Sequence, residues 1–329
     1  MVDFAGKAPA PAEDLALLQR YIKQCTNWGR WGEDDQVGAV NFIDAAAVRR
    51  GAGAGAVRAG RTISLTLPYD GSGPQDGVLR SNPRLVATAT GLDYLAGTQD
   101  FLPGGGTPKG FGYSDDILVM DNQAGTQWDS LSHIFWDGRM WNGRSAAEST
   151  SSGAAANGVQ NYTGRIVTRG LLVDVPAMLG VESLEPGHAV TTEDIESFLA
   201  EHGLTVEPGD ALLVRTGFLA ARREKWGDYA GGPAPGLSLH TAPWLHAREI
   251  AAVATDTWGV EVRPNEIGVF QPLHVVCLVH AGIAFGEMFD LDTLARDCAE
   301  DGAYEFMLSA SPLPLTGAAG SPVSAVAIK

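Results

Sequence analysis

Gln123-Ala-Gly125-Thr126-Gln127-Trp-Asp129-Ser-Leu-Ser-His133 concentrates the chemistry of this chain. Side chains that coordinate metals or move protons fall there at offsets of four, two and four, around a Gly-Thr pair. A strand-like run, Ile117-Leu-Val-Met120, leads into the segment. Were 123–133 extended throughout, its ends would lie about 33 Å apart and share nothing. A bend is therefore required. Gly125 permits one, and Asp129-Ser130 reads as a helix N-cap. A helix starting there sets Asp129 and His133 one turn apart on one face. Gln127 and Asp129 sit two apart, a spacing that lets them point the same way. The backbone N–H groups of Gly125 and Thr126 suit a developing oxyanion. Spacing alone describes equally well a satisfied polar turn in which His133 makes a structural hydrogen bond.

The surrounding composition narrows the class. The chain has 329 residues, 45% of them hydrophobic, which is enough for a substantial core. A formal charge of -16, from 23 basic and 39 acidic side chains, repels nucleic acid and anionic membranes and so excludes them as partners. Cys25, Cys277 and Cys298 form no C-x-x-C pair, and three is an odd, sparse set. That pattern predicts a reducing compartment, not a disulfide framework. No basic stretch followed by an apolar run opens the chain, and no window approaches a spanning helix, so a cytoplasmic protein is expected.

Along the chain, Leu15, Leu18, Tyr21 and Ile22 recur at helical spacing, predicting a helix from Glu13 to Gln24 behind a Pro/Ala arm. Trp31-Gly-Glu-Asp-Asp-Gln-Val-Gly38-Ala-Val-Asn41 reads as a structured loop that packs on something. Asp44 caps a short helix to Arg50 that ends in the Gly/Ala run 51–55, which lacks the spacing of a nucleotide loop. Thr62–Pro68 alternates as a strand. Residues 69–115 read as loop with short strands, Gly104-Gly-Gly106 suits either a flap hinge or a mobile surface loop, and 149–158 reads as flexible. From 165 the pattern turns α/β. Strands are expected at Ile166–Thr168, Gly170–Val175, Ala211–Arg215, Ala252–Thr255 and Ile283–Phe285, with helices at Thr192–Glu201, Trp244–Ala251 and Leu273–Ala281. The organisation expected is an N-terminal arm and helix, 1–27, followed by one domain, 28–329.

The opening segment resembles the signature of the cyclase family of metal-dependent hydrolases, which includes kynurenine formamidase and isatin hydrolase: His-x-Gly-Thr-His-x-Asp-x-Pro-x-His. Gly125, Thr126, Asp129 and His133 match it; Gln123 and Gln127 replace the two leading histidines, and Leu131 the proline. The likeness extends over roughly 28–310, through Trp31–Asn41, Arg169–Asp174, Gly209-Asp210, Arg215-Thr-Gly217, Asp256 with Glu261, and the late pair His274 and Glu287. It implies a swivelling β/β/α fold with an N-terminal extension, assembled as a homodimer or homotetramer. In the family the two histidines and the Asp hold Zn or Mn, with the late His and Glu available to a second metal; here that implies either a weaker site for Zn, Mn or Mg made by Asp129, His274 and Glu287 with the Gln123 and Gln127 oxygens, or a metal-free pocket in which the two glutamines donate to substrate. Such a metal activates water for attack on an amide or lactone carbonyl. An amide oxygen is a far weaker ligand than imidazole, so both replacements weaken that site. The resemblance gives His133 the proton-transfer role, which its ordinary pKa near 6.5 suits.

The expected function is a hydrolase that opens, or closes, a cyclic amide, lactone or related carbonyl compound. Its catalytic residues are His133 and Asp129; Gln123, Gln127, Gly125, Thr126 and Trp128 bind the small-molecule substrate. Two rivals stand beside it: a metal-independent cyclase, dehydratase or lyase using His133, and a binding protein that lost its metal ligands. Asp256 and Glu261 are read as loop-holding carboxylates, and His280 as structural. His188, His202, His240 and His246 are read as solvent-exposed. Trp128, Phe135, Trp136 and Trp141 suit a flat substrate or simply the core.

Overall fold

The computed structural model describes residues 10–53, 55–99 and 111–329. A nine-stranded mixed sheet organises them. In spatial order its strands are Thr62–Ser64, Val326–Ile328, Glu305–Ser309, Val167–Asp174, Ala211–Arg215, Ala252–Thr255, Ala284–Glu287, Gln127–Asp129 and Gly320–Pro322. The four strands from Val167 to Glu287 run parallel, and antiparallel strands close both sides. The parallel strands carry ALLVR, AVAT and AFGE and are buried almost throughout, because a parallel sheet covered on both faces has no polar side to show. Helices Ala45–Gly51 and Thr192–Glu201 both pack on strand Val167–Asp174.

The α/β class is as expected, and so are most elements. Asp44 accepts from the backbone N–H groups of Ala46 and Ala47, and Thr191 and Asp194 form a capping box on Thr192–Glu201. The N-terminal helix, Ala12–Cys25, buries Leu18 and Cys25 in the main core. Loop Trp31–Asn41 docks on the helix end at Gly282: Ala39 N–H donates to Gly282 O at 2.8 Å, and Gly282 holds φ at 72°. Arg169 pairs with Asp210 at 2.6 Å and Arg215 with Asp174 at 2.9 Å, clamping the first two parallel strands together.

Several expectations need correction. The Ile117–Met120 run is a strand, Asp115–Val119, but it forms a two-stranded hairpin with Arg84–Ala89 that leaves Leu85, Val86, Ile117, Leu118 and Val119 exposed. Residues 149–158 are not a loose stretch. Ser149-Thr150 pairs with Gly153-Ala154, and Ala154 N–H donates to Gly317 O. The helix over 273–281 is α-helical only at Pro272–His274 and continues as a π-helix, Val275–Ala281. Of the four histidines read as exposed, only His240 is so. His188, His202 and His246 are half-buried; His202 packs on Phe198 and Tyr304, and His246 bonds Asn27. Gly104-Gly-Gly106 lies outside the described residues. The buried cysteines are all free thiols, and among the described residues no helix is long and apolar enough to cross a membrane.

The most consequential correction concerns Asp129-Ser130, which caps no helix. Gln127–Asp129 is a strand, captured between Gly286-Glu287 and Gly320–Pro322. Strand geometry then sends Trp128 to the opposite face from its neighbours. There it is fully buried, its indole N–H donates to Ala310 O at 2.7 Å, and it packs edge-on to Phe289. Gly286 sits beneath the ring; a Cβ there would fall 2.7 Å from Trp128 Cζ3. Trp128 is thus a core residue and not a substrate wall. Trp128→Ala should cost about 3–5 kcal/mol in chemical denaturation; a loss under about 1 kcal/mol would contradict this placement.

Candidate active site

The segment before the strand is pinned from several directions. Ala124 N–H closes a turn on Asp121 O at 3.0 Å, and Arg80 donates to Gln123 O at 3.1 Å. Gly125 lies against the Tyr69 ring, where a Cβ would come within 2.9 Å. The Thr126 hydroxyl donates to Met288 O and accepts from Leu67 N–H, so its side chain is spent on the fold. Gly125 and Thr126 position the strand; neither presents a side chain for substrate.

Gln127 and Asp129 project together from the other face, both fully buried. Gln123 Nε2 donates to Asp129 Oδ1 at 2.6 Å, and Gln127 Nε2 donates to Glu287 Oε2 at 2.7 Å. The neighbouring strand brings Glu287, and the helix preceding that strand brings His274. Imidazole Nε2 lies 3.8 Å from Asp129 Oδ2 and 3.5 Å from Glu287 Oε1. Ligand atoms of Asp129, His274 and Glu287 all lie within 4.8 Å of one another. Asp129 Oδ2, His274 Nε2 and Gln127 Oε1 are buried without a hydrogen-bond partner. Buried polar atoms without protein partners mark a place that can take an ion or a water.

His133 reaches the same place by a turn. Its N–H bonds Ser130 O at 3.1 Å, and the Ser130 hydroxyl accepts from Ser132 N–H. Imidazole Nε2 comes within 3.9 Å of Asp129 Oδ1, with 22% of the side chain exposed. His133 is therefore the group at the mouth of the site, while His274 is its floor.

Glu261 carries more than its sequence suggested. Its carboxylate accepts from His274 Nδ1 at 2.6 Å and from the backbone N–H groups of His274 and Leu273, each at 2.9 Å. It holds a loop, as expected, and also fixes the imidazole so that Nε2 faces the carboxylates. The spacing from 261 to 274 matches no helix or strand period, so no local pattern links the two. Asp256, by contrast, accepts from Thr216 and Gly217 N–H and is purely a loop holder. The remaining aromatic residues divide. Trp141 is core, its indole bonded to Asp35, whereas Phe135 is 41% exposed and Trp136 keeps an unpartnered indole nitrogen.

Electrostatics sharpen the roles. Burial drags the His274 pKa down, but Glu261 and Glu287 overcome it and hold the imidazolium up to about 10. Burial raises Asp129, and the Glu287 charge adds to it against the pull of His133 and His274. Burial lowers His133 against the opposing charge of Asp129, leaving a neutral imidazole that accepts protons at pH 7.

Residues 63–262 match the family model described as "Putative cyclase". A solved structure described as a novel cyclase is 35% identical, with a TM-score of 0.83, covering 94% of this chain and 99% of its own. Isatin hydrolase A from Ralstonia solanacearum is 16% identical (TM-score 0.59; 81% and 91% covered). Isatin hydrolase A from Labrenzia aggregata, solved with benzyl benzoate, is 20% identical (TM-score 0.55; 81% and 93% covered). These two share the fold. No curated protein matches the chain.

Proposed function

The chain belongs to the Cyclase family, and from that premise we propose that it is a metal-dependent hydrolase opening a cyclic amide, lactone or related carbonyl compound. One observation carries the reading: Asp129, His274 and Glu287 are buried with their ligand atoms within 4.8 Å of one another, and Asp129 Oδ2 and His274 Nε2 lack a hydrogen-bond partner. Two carboxylates and an imidazole suit Mn, Zn or Mg. A divalent cation there supplies Lewis acidity, activating water and polarising a carbonyl.

The chain's own residues do the rest. Glu261 orients His274. Gln127 bridges the strand to Glu287 by donating its N–H, as an amide between two carboxylates must. Its Oε1 is left unpartnered and would be a weak fourth ligand were a cation held there. His133, neutral and beside Asp129, takes the proton of the attacking water and returns it to the leaving nitrogen or oxygen. Catalytic work rests with His133 and Asp129, and substrate contact with Gln123.

Metal binding must expel a proton, because His274 holds one up to about pH 10 in the metal-free protein. Mn2+ or Zn2+ affinity is therefore expected to rise about tenfold per pH unit from pH 6 to 9, with proton release visible by calorimetry in buffers of different ionisation enthalpy. A pH-independent affinity would contradict this assignment.

The experiment for the function is a pH-stat assay on lactones and cyclic amides with Mn2+ or Zn2+, then with EDTA. Turnover lost to EDTA and restored by metal is expected. Turnover that survives EDTA would favour a second reading, an acid/base cyclase or lyase without metal. What favours that alternative is the pair of glutamine amides that already donate to one oxygen each of Asp129 and Glu287.

A further inference from the structure

Arg263 is 5% exposed, and its Nε and both Nη atoms have no hydrogen-bond partner. Such a group is expensive to bury. The fold pairs its other inward arginines: Arg169 with Asp210 and Glu305, and Arg215 with Asp174 and Asp292. Arg263 has no such partner, although its backbone is fixed to Ala234 by hydrogen bonds in both directions, at 2.9 Å each.

Its place explains what it waits for. The guanidinium lies over the Trp258 ring, 5.1 Å from the centroid, and Arg80 lies over the same ring at 5.0 Å. Trp258 thus carries two guanidinium groups on its ring. Gly259 follows it. A Cβ at 259 would lie 3.8 Å from Arg263 Nη1, 3.9 Å from Glu287 Oε1 and 3.3 Å from Gln271 Nε2. The missing side chain therefore leaves the tip of Arg263 and the metal-binding carboxylate facing one point, with neither bonded to the other. Gln271 holds its amide there from a left-handed backbone, φ 48° and ψ 56°, a strain that persists only where the surroundings enforce it.

We propose that Arg263 is the anchor for a carboxylate carried by the substrate, beside the carbonyl that is attacked. A guanidinium fork takes a carboxylate through two parallel N–H bonds. A singly charged, planar anion also suits a point already shared with Glu287 better than a doubly charged phosphate would. This rests on the hydrolase reading for the word "substrate", but the anion site itself is tested without turnover.

The test is calorimetric titration of the full-length, EDTA-treated protein with benzoate and with its neutral isostere benzamide. Removing metal first keeps carboxylate–metal contacts out of the readout. Wild type is expected to bind benzoate at least about tenfold tighter than benzamide, and Arg263→Gln should erase that preference. Should Arg263→Gln fail to fold, Arg263→Lys keeps the charge without the fork and is expected to lose most of the preference. The Nε–H resonance of Arg263 in wild type should shift with benzoate and not with benzamide. Equal binding of the two ligands, absence of benzoate binding, or a preference that survives both substitutions would overturn the proposal. Benzoate preference in a protein that hydrolyses no lactone or amide would overturn the proposed function and leave the anion site standing.

Discussion

His133→Gln is expected to lower kcat on any hydrolysed substrate by about 10²–10⁴-fold, the range that a positioned general acid/base contributes. The side chain touches only the mouth of the site, through a 3.9 Å approach to Asp129, so folding and metal binding should survive. The wild-type pH profile should carry the same signature. Burial places His133 below its ordinary 6.5. Its neutral form does the work, so kcat/KM should stay flat through pH 6.5 and fall only below it. In His133→Gln that limb should vanish from the residual activity. Retained turnover with an unchanged acid limb would remove His133 from the chemistry.

Glu261→Gln should weaken Mn2+ or Zn2+ binding by about 10–100-fold, the usual cost of losing the carboxylate behind a ligating histidine. Glu261 touches neither ion nor substrate; it acts through His274, so a structural readout alone would not identify its role. The distinguishing measurement is the His274 titration followed by NMR. Glu261 and Glu287 together hold that pKa up to about 10, and removing one charge should lower it clearly. Unchanged metal affinity together with an unchanged His274 titration would show that Glu261 is only a loop holder.

The site divides into residues whose chemistry shows in the sequence and residues that only the fold reveals. The parallel strands were legible because each is a short, continuous apolar run, and the Asp44 and Thr191 caps because capping is a local rule. Gln127–Asp129 was not legible as a strand. Three residues hold no period, and this strand exists because Glu287 and Pro322 flank Gln127 on both sides. The same strand turns Trp128, expected among the substrate contacts, into the core. The π-helix at Val275–Ala281 shifts backbone bonding without altering the apolar composition, so no residue announces it. Glu261 reads from the sequence as one of two loop carboxylates, and only the fold puts its oxygens on His274. Arg263, in the run Val-Arg-Pro-Asn, looks like a surface turn, and only its burial without partners marks it. Resemblance supplied the late pair His274 and Glu287, which sequence spacing could not have joined.

The central claim is that segments remote in the chain share one metal centre made by Asp129, His274 and Glu287. The most direct measurement is a Mn2+ and Zn2+ titration of chelator-treated protein, comparing wild type with Asp129→Asn, His274→Ala and Glu287→Gln. One ion per chain in wild type, with each substitution weakening binding by at least about tenfold while thermal unfolding stays cooperative, is the predicted result. No stoichiometric ion in wild type, or an ion whose affinity ignores all three substitutions, would contradict it.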